Sequence, residues 1–467
     1  MTAEVSAPSA IEAFLRSNEE KELLRLSTAG SVDDGKSTLI GRLLYDSKGV
    51  YEDQLASVRK ASVNQSAGPL DFALLTDGLR AEREQGITID VAYRYFSTPR
   101  RKFIIADTPG HEQYTRNMAT GASTANLAII LIDARSGVLR QSRRHAYIAA
   151  LLGIPHIVVA VNKMDLVEFR REVFESIREE FRAFAEQLRV RDLYFIPLSA
   201  LLGDNVVTRS PNMPWFEGRA LLDHLETAPI TYDRNLTDLR FPVQYVIRPN
   251  LDFRGYAGQV ASGVVKPGDV VMALPSGRTS RVRSVTTYDG DLARAFPPMS
   301  VTICLEDELD ISRGEMLVDP LSSPHVARRF EAMLVWMNDK ALEPGQPYLL
   351  KHTSHQVKAN ITAVRHKVNV ETLERVEAGR LELNEIGSVA IETHRPLFFD
   401  AYDRNRATGG FVLIHPITNE TVAAGMISGP AAQRQSRGMD LLEGLEFESS
   451  RVAPAERHSR AGHRPAT

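Results

Sequence analysis

From Arg25 to about Leu225 the chain alternates short apolar runs with stretches whose apolar residues recur at helical spacing. The runs Leu24 to Ala29, Lys102 to Ala106, Leu127 to Ile132, His156 to Val161 and Tyr194 to Leu198 read as strands. Between them, Ser37 to Tyr45 and Val167 to Leu188 carry the 3.6-residue period of amphipathic helices. Strand–helix alternation predicts a mostly parallel sheet with helices on both faces. After Pro229 the texture changes. Phe241 to Val271 and Arg278 to Val285 are β-branched and glycine-punctuated, and Gly255 to Asp269 reads as strands joined by tight turns. A second stretch of this kind runs from Arg329 to about Ser428, so two small antiparallel barrels are expected. The expected divisions are an N-terminal extension over 1–24, an α/β domain over 25–232, barrels over 238–325 and 328–440, and a disordered tail over 445–467. The extension holds one amphipathic stretch, with Ile11, Phe14, Leu15, Leu23 and Leu24, that reads as a helix packed on its own domain, with docking onto a partner as the alternative.

Composition narrows the picture. The 467 residues allow about three domains at roughly 150 residues each. With 56 basic against 59 acidic residues the net charge is −3, which predicts no general attraction to nucleic acid or to an anionic membrane. Cys304 is the one cysteine, so no intrachain disulfide is expected. Acidic residues early in the chain leave no apolar core for a targeting peptide, and no run approaches the ~20 residues that span a bilayer. A cytoplasmic location is expected.

Gly30-Ser31-Val32-Asp33-Asp34-Gly35-Lys36-Ser37 matches G-x-x-x-x-G-K-[ST] between a predicted strand and a helix with an apolar face of Leu39, Ile40, Leu43 and Leu44. The glycines let the backbone turn its N–H groups onto phosphates, and the helix N-terminus adds positive potential. Lys36 is placed to neutralise β/γ oxygens and the Ser37 hydroxyl to hold Mg²⁺. Asp107-Thr108-Pro109-Gly110-His111 ends another strand, where doubly wound sheets bind ligands. Asp107 can reach Mg²⁺ through water, the Gly110 N–H can touch a γ-phosphate, and His111 can position the attacking water. Upstream, Thr88 within Arg83-Glu-Gln-Gly86-Ile-Thr88-Ile can close over Mg²⁺ and the γ-phosphate, so that hydrolysis releases that loop.

Asn162-Lys163-Met164-Asp165 follows the strand ending at Val161. A carboxylate at Asp165 accepts from guanine N1–H and N2, where adenine offers an acceptor and a bare C–H. Asn162 can bind N7, the Lys163 stem can lie on the ring, and the backbone of Ser199-Ala200-Leu201 can serve O6. The nucleotide pair read from these residues is GTP/GDP. Three weaker signals read as structural. His352, His355, His366 and Cys304 lack the spacing of a zinc site, Trp215 reads as packing, and Arg140 to Arg144 as a solvated helix face.

These blocks resemble the translation-factor class of GTPases through both barrels, including Gly258-Gln-Val-Ala-Ser-Gly-Val-Val-Lys-Pro-Gly-Asp269 and Ile311-Ser-Arg-Gly314. A narrower resemblance, to the GTPase subunit of bacterial sulfate adenylyltransferase, rests on Gly30 to Tyr45, Leu74 to Phe96 and Phe103 to Ala122. It implies that GTP hydrolysis drives conversion of ATP and sulfate to adenosine 5′-phosphosulfate and pyrophosphate. It also implies a smaller partner subunit of the ATP-pyrophosphatase type, through which ATP and sulfate are bound. The chain has no pyrophosphate loop of the Ser-Gly-Gly-x-Asp type, which agrees with that division. It has no second phosphate-loop motif either, so no fused kinase is expected. The alternative is an elongation factor delivering aminoacyl-tRNA. Ser31 and Asp34, where that factor typically has histidine, argue against it, as does the Ala81 to Phe96 block.

Overall fold

The computed structural model describes residues 21–47, 72, 90–111, 114–188, 190–230, 234–249 and 253–431. Thr88 and its loop, residues 1–20 of the extension and the tail beyond 431 lie outside the described residues. Six strands form the first sheet: β1 (Leu23–Gly30), β2 (Ala92–Ser97), β3 (Lys102–Asp107), β4 (Leu127–Asp133), β5 (His156–Asn162) and β6 (Asp192–Pro197), in the order β2-β3-β1-β4-β5-β6. All neighbours are parallel except β2 and β3. Central β4 and β5 are buried at every position, which is why they read as unbroken apolar runs. Leu23 and Leu24, counted above with the amphipathic extension, belong to β1.

β2 is the strand missing from the sequence reading. Its Tyr93 and Tyr95 are exposed and Phe96 buried, the pattern of an edge strand with one open face. Helices α1 (Lys36–Asp46), α2 (Thr115–Ala122), α3 (Arg140–Leu151), α4 (Arg171–Ala185) and α5 (Leu221–Thr227) complete this layer. Buried Arg101, just before β3, donates to the carbonyls of Leu225 and Ala228 and so fastens the end of α5 beneath the sheet.

Two antiparallel sheets follow. The first holds β7 (Arg240–Ile247), β8 (Gly255–Gln259), β9 (Val270–Leu274), β10 (Arg278–Thr287), β11 (Gly290–Asp291), β12 (Ser300–Leu305) and β13 (Met316–Val318). Its order runs β10-β12-β8-β7-β13-β9, and pairing of β9 with β10 closes six strands into a barrel. The Gly255 to Asp269 stretch supplies only β8 to that barrel; the rest is turns and the isolated bridges of Ser262 to Arg240 and Val265 to Ala295. The second sheet holds β14 (His325–Trp336), β15 (Pro347–His352), β16 (His355–Val368), β17 (Arg375–Val376), β18 (Ile386–Phe399), β19 (Gly410–Ile414) and β20 (Thr421–Pro430), with helix α6 (Arg406–Gly409) before β19. It closes through β15 and β16. Closure leaves few open edges on either barrel.

The three layers are joined by polar ties as well as apolar packing. The wholly buried Arg240 makes a two-pronged ion pair with Asp400, both contacts 2.9 Å, which locks one barrel to the other. Barrel residues Val335, Met337, Ile386 and Met426 join the core of the α/β layer. Arg144 of α3 is buried and donates to the Asn384 carbonyl at 3.0 Å, and Arg140 pairs with Glu371. Of the arginines expected to face solvent, Arg144 is instead buried against the second barrel, while Arg140 is exposed and Arg143 pairs with Glu180 of α4.

Candidate guanine-nucleotide site

The phosphate loop sits where β1 gives way to α1. Asp33 (φ 66°) and Gly35 (φ 89°) adopt the left-handed backbone that turns the chain around the cradle. A Cβ on Gly35 would stand 2.5 Å from Asn162 Nδ2, so that position excludes any side chain. Lys36, buried at the start of α1, folds back across the loop and donates to the carbonyls of Gly30 (3.1 Å) and Ser31 (2.8 Å). Burial pushes its ammonium below the ordinary lysine range, while Asp107, Asp34 and Asp33 pull the other way. Beside it the Ser37 hydroxyl has no hydrogen-bond partner among the described residues.

Asp107 ends β3 opposite Thr28 of β1, is almost wholly buried, and accepts from the Thr28 hydroxyl at 3.2 Å. The Thr108 hydroxyl donates to the Thr28 carbonyl at 2.5 Å, which holds the Asp107–Gly110 turn against β1. A Cβ on Gly110 would lie 2.5 Å from the Gly30 carbonyl and 2.6 Å from Lys36 Nζ. The Gly110 backbone therefore rests directly on the phosphate loop. His111 is exposed at the mouth, with its ring edge-on to Tyr114 at 6.2 Å. Ser37 and Asp107 present a hydroxyl and a carboxylate, the hard oxygen donors that suit Mg²⁺.

On the base side, Asn162, expected to meet N7, also works within the protein and keeps one Nδ2 hydrogen unused among the described residues. Its Nδ2 donates to the Asp34 carbonyl at 2.7 Å and its Oδ1 accepts from the Ala200 N–H at 2.9 Å. It ties the phosphate loop to the Ser199–Leu201 turn. The Ser199 N–H is also engaged, by the Asp204 carbonyl at 3.2 Å, so among these three residues the Leu201 N–H remains available. Lys163 (φ 61°) sends its ammonium to the Asp33 carbonyl and to Asp133, 2.9 Å away, which stretches its stem across the base side. Met164 is fully buried beneath this turn. Asp165 is half-buried, and among the described residues nothing pairs with its carboxylate. That leaves it ready for two donors on one edge of a base.

Two participants went unnoticed in the sequence. Asp133, at the carboxyl end of β4, receives Lys163 and also Arg135 at 2.6 Å. Those hydrogen bonds outweigh its desolvation, which is the largest single influence, and hold its carboxyl down at about 2. Its position after an apolar strand was the available signal. Arg42 of α1 donates to the Leu202 carbonyl at 2.8 Å and clamps the turn after Ser199. Nothing local in the sequence pairs residues 160 apart. The weaker signals are also placed. Trp215 donates to the Phe169 carbonyl at 3.1 Å and packs on Phe174, and buried His352 shares a 2.7 Å hydrogen bond with the Thr408 carbonyl.

Comparison with known proteins agrees with this geometry. Residues 21–236 match the family described as Elongation factor Tu GTP binding domain, and residues 329–428 match GTP-eEF1A C-terminal domain-like. Sulfate adenylyltransferase subunit 1 of Bacteroides thetaiotaomicron is 56% identical over 460 residues, which cover 96% of this chain and 95% of that protein. The counterpart from Cellvibrio japonicus is 55% identical over 450 residues, 96% of this chain and 95% of that one. The bifunctional enzyme CysN/CysC of Mycobacterium tuberculosis is 59% identical over 411 residues, 87% of this chain and 67% of that protein. With near-complete coverage at this identity, the chain belongs to the sulfate adenylyltransferase subunit 1 family, within the translation-factor class of GTPases.

Proposed function

We propose that this chain is the GTPase subunit of a sulfate adenylyltransferase, in which GTP hydrolysis drives ATP and sulfate to adenosine 5′-phosphosulfate and pyrophosphate. One observation carries the reading. A guanine-nucleotide site runs from the loop crossed by Lys36 to the Asp165 carboxylate, unpaired among the described residues, in a chain 56% identical along almost its whole length to a sulfate adenylyltransferase subunit 1. Adenylyl transfer takes place with a smaller partner subunit of the ATP-pyrophosphatase type, in the cytoplasm. That relationship favours this role over delivery of aminoacyl-tRNA.

The residues divide the work. The backbone from Gly30 to Ser37 cradles the β- and γ-phosphates, and Lys36 leaves the loop carbonyls to meet them. Ser37, Asp107 and Thr88 are the residues that would hold Mg²⁺, and the ion would supply neutralisation of the phosphate charge. The Gly110 N–H reads the γ-phosphate, and His111, at the mouth, orients the attacking water. Asp165 selects guanine, the Lys163 stem covers the ring, and Leu201 offers a backbone donor to O6. Adenylating sulfate is strongly uphill, so GTP and GDP forms must present different surfaces to the partner for hydrolysis to be coupled to it.

The test is reconstitution by co-expression with candidate small subunits. Pyrophosphate release from ATP is expected to require sulfate and GTP together. Sulfate-dependent release that ignores GTP would overturn the coupling.

A further inference from the structure

We propose that Asp34 is a positioning residue: its carboxylate braces the phosphate loop from inside, and it takes up a proton from solvent when a nucleotide's phosphates enter the cradle. The inference rests on the guanine-nucleotide reading above and assigns a role within that site.

Asp34 does not turn its side chain outward; Oδ2 accepts the Ser31 N–H at 2.6 Å, and the residue is only 3% exposed. A Cβ on Gly30 would stand 3.1 Å from that same oxygen, so the carboxylate lies against the first glycine of the loop. The backbone of Asp34 is fixed as well, its carbonyl by Asn162 and its N–H by the Ser31 carbonyl at 3.4 Å. A negative group is thus built into the wall of a cradle made for anions.

Several charges face it. Lys36 at the head of α1 is the cation that acts on it most strongly, yet its ammonium is held on the Gly30 and Ser31 carbonyls. Asp133 at the end of β4 repels it, and Lys163 after β5 attracts it while itself bound to Asp133. Asp33 is its chain neighbour, and Asp107 competes for the field of Lys36. Burial outweighs the Ser31 N–H and the Lys36 charge and raises the Asp34 carboxyl to about 6. Entering phosphates add negative charge and draw Lys36 toward themselves. Both changes favour the protonated carboxyl further.

The sign of the linkage follows. A group whose proton affinity is higher in the complex than in the free protein stabilises the complex at low pH. That stabilisation is complete below about 6 and fades as pH climbs through the higher value of the complex. Each further unit of upward displacement weakens binding about tenfold at high pH relative to low pH.

Calorimetric titration of the full chain with GDP, at fixed Mg²⁺ and pH 7 in buffers of differing ionisation enthalpy, counts the protons exchanged. Wild type is expected to take up about 0.5 to 1 more proton per GDP than Asp34→Asn, because the carboxyl is mostly ionised before binding. The difference removes the contribution of the terminal phosphate, which titrates near 6 itself. Asp34→Asn should also lose the wild-type fall in affinity above pH 6. Equal proton counts in two proteins that both bind GDP would overturn the inference. If Asp34→Asn does not fold, wild type alone is titrated between pH 7 and 8, where the terminal phosphate is ionised both free and bound: net proton uptake is expected, and no uptake or net release overturns the inference. A wild-type chain that binds no guanine nucleotide would instead refute the functional reading.

Discussion

Asp165 shows how much one side chain can decide. Its carboxylate lies in the short helical turn Met164–Val167 that follows β5, with no hydrogen-bond or ion-pair partner among the described residues, and on the proposed reading that capacity goes to the base. A site built to hydrogen-bond a particular edge rejects a base that lacks the donors by several orders of magnitude. Asp165→Asn should therefore weaken GDP binding by at least about 100-fold and strengthen xanthosine diphosphate, as read by competition against a fluorescent guanine nucleotide. Unchanged discrimination would remove Asp165 from base recognition. Asp165 and Lys36 were legible in the sequence because motif spacing and strand ends name them. Asn162 was legible as a base-side residue but not as a tie: its amide also holds the Asp34 carbonyl and the Ala200 N–H, partners that come from 128 and 38 residues away.

At the scale of elements, α3 separates a contact that matters from one that does not. Arg144 is buried at the interface with the second barrel and donates to the Asn384 carbonyl, whereas Arg140 is 66% exposed in its pair with Glu371. Removing a buried donor leaves a carbonyl without its partner and costs about 1 to 3 kcal/mol. An exposed pair is worth at most about 1 kcal/mol. Arg144→Ala should accordingly lower the denaturation midpoint clearly, while Arg140→Ala should leave it almost unchanged; equal effects would show that the burial is not felt. The run of five residues from Arg140 to Arg144 reads in one dimension as a solvated face because four of them are polar and long. Only the barrel packed against it reveals which arginine points inward. The edge strand β2 was missed for a related reason. With one face open, its tyrosines and arginine do not form the apolar run that marked β4 and β5.

At the scale of the whole molecule, the Arg240–Asp400 pair ties one barrel to the other. Arg240 is 0% exposed, and its partner lies 160 residues away on the other barrel. Breaking such a pair leaves a buried charge uncompensated, at a cost of about 3 to 5 kcal/mol, whereas replacing both partners with apolar residues of similar volume is often neutral. Asp400→Asn should lower the unfolding midpoint steeply, and Arg240→Met with Asp400→Leu should recover much of the loss. A double variant as unstable as the sum of two singles would contradict this account.

The sequence by itself determined the order of the layers, the phosphate loop and the base-reading turn, since these follow from local periodicity and short motifs whose members sit within a few residues of one another. The closure of the barrels, the inward turn of Asp34, the Asn162 tie and the burial of Arg144 and Arg240 were decided by tertiary structure alone. Each of these depends on a partner far along the chain, and burial is a property of what packs on a residue rather than of the residue itself.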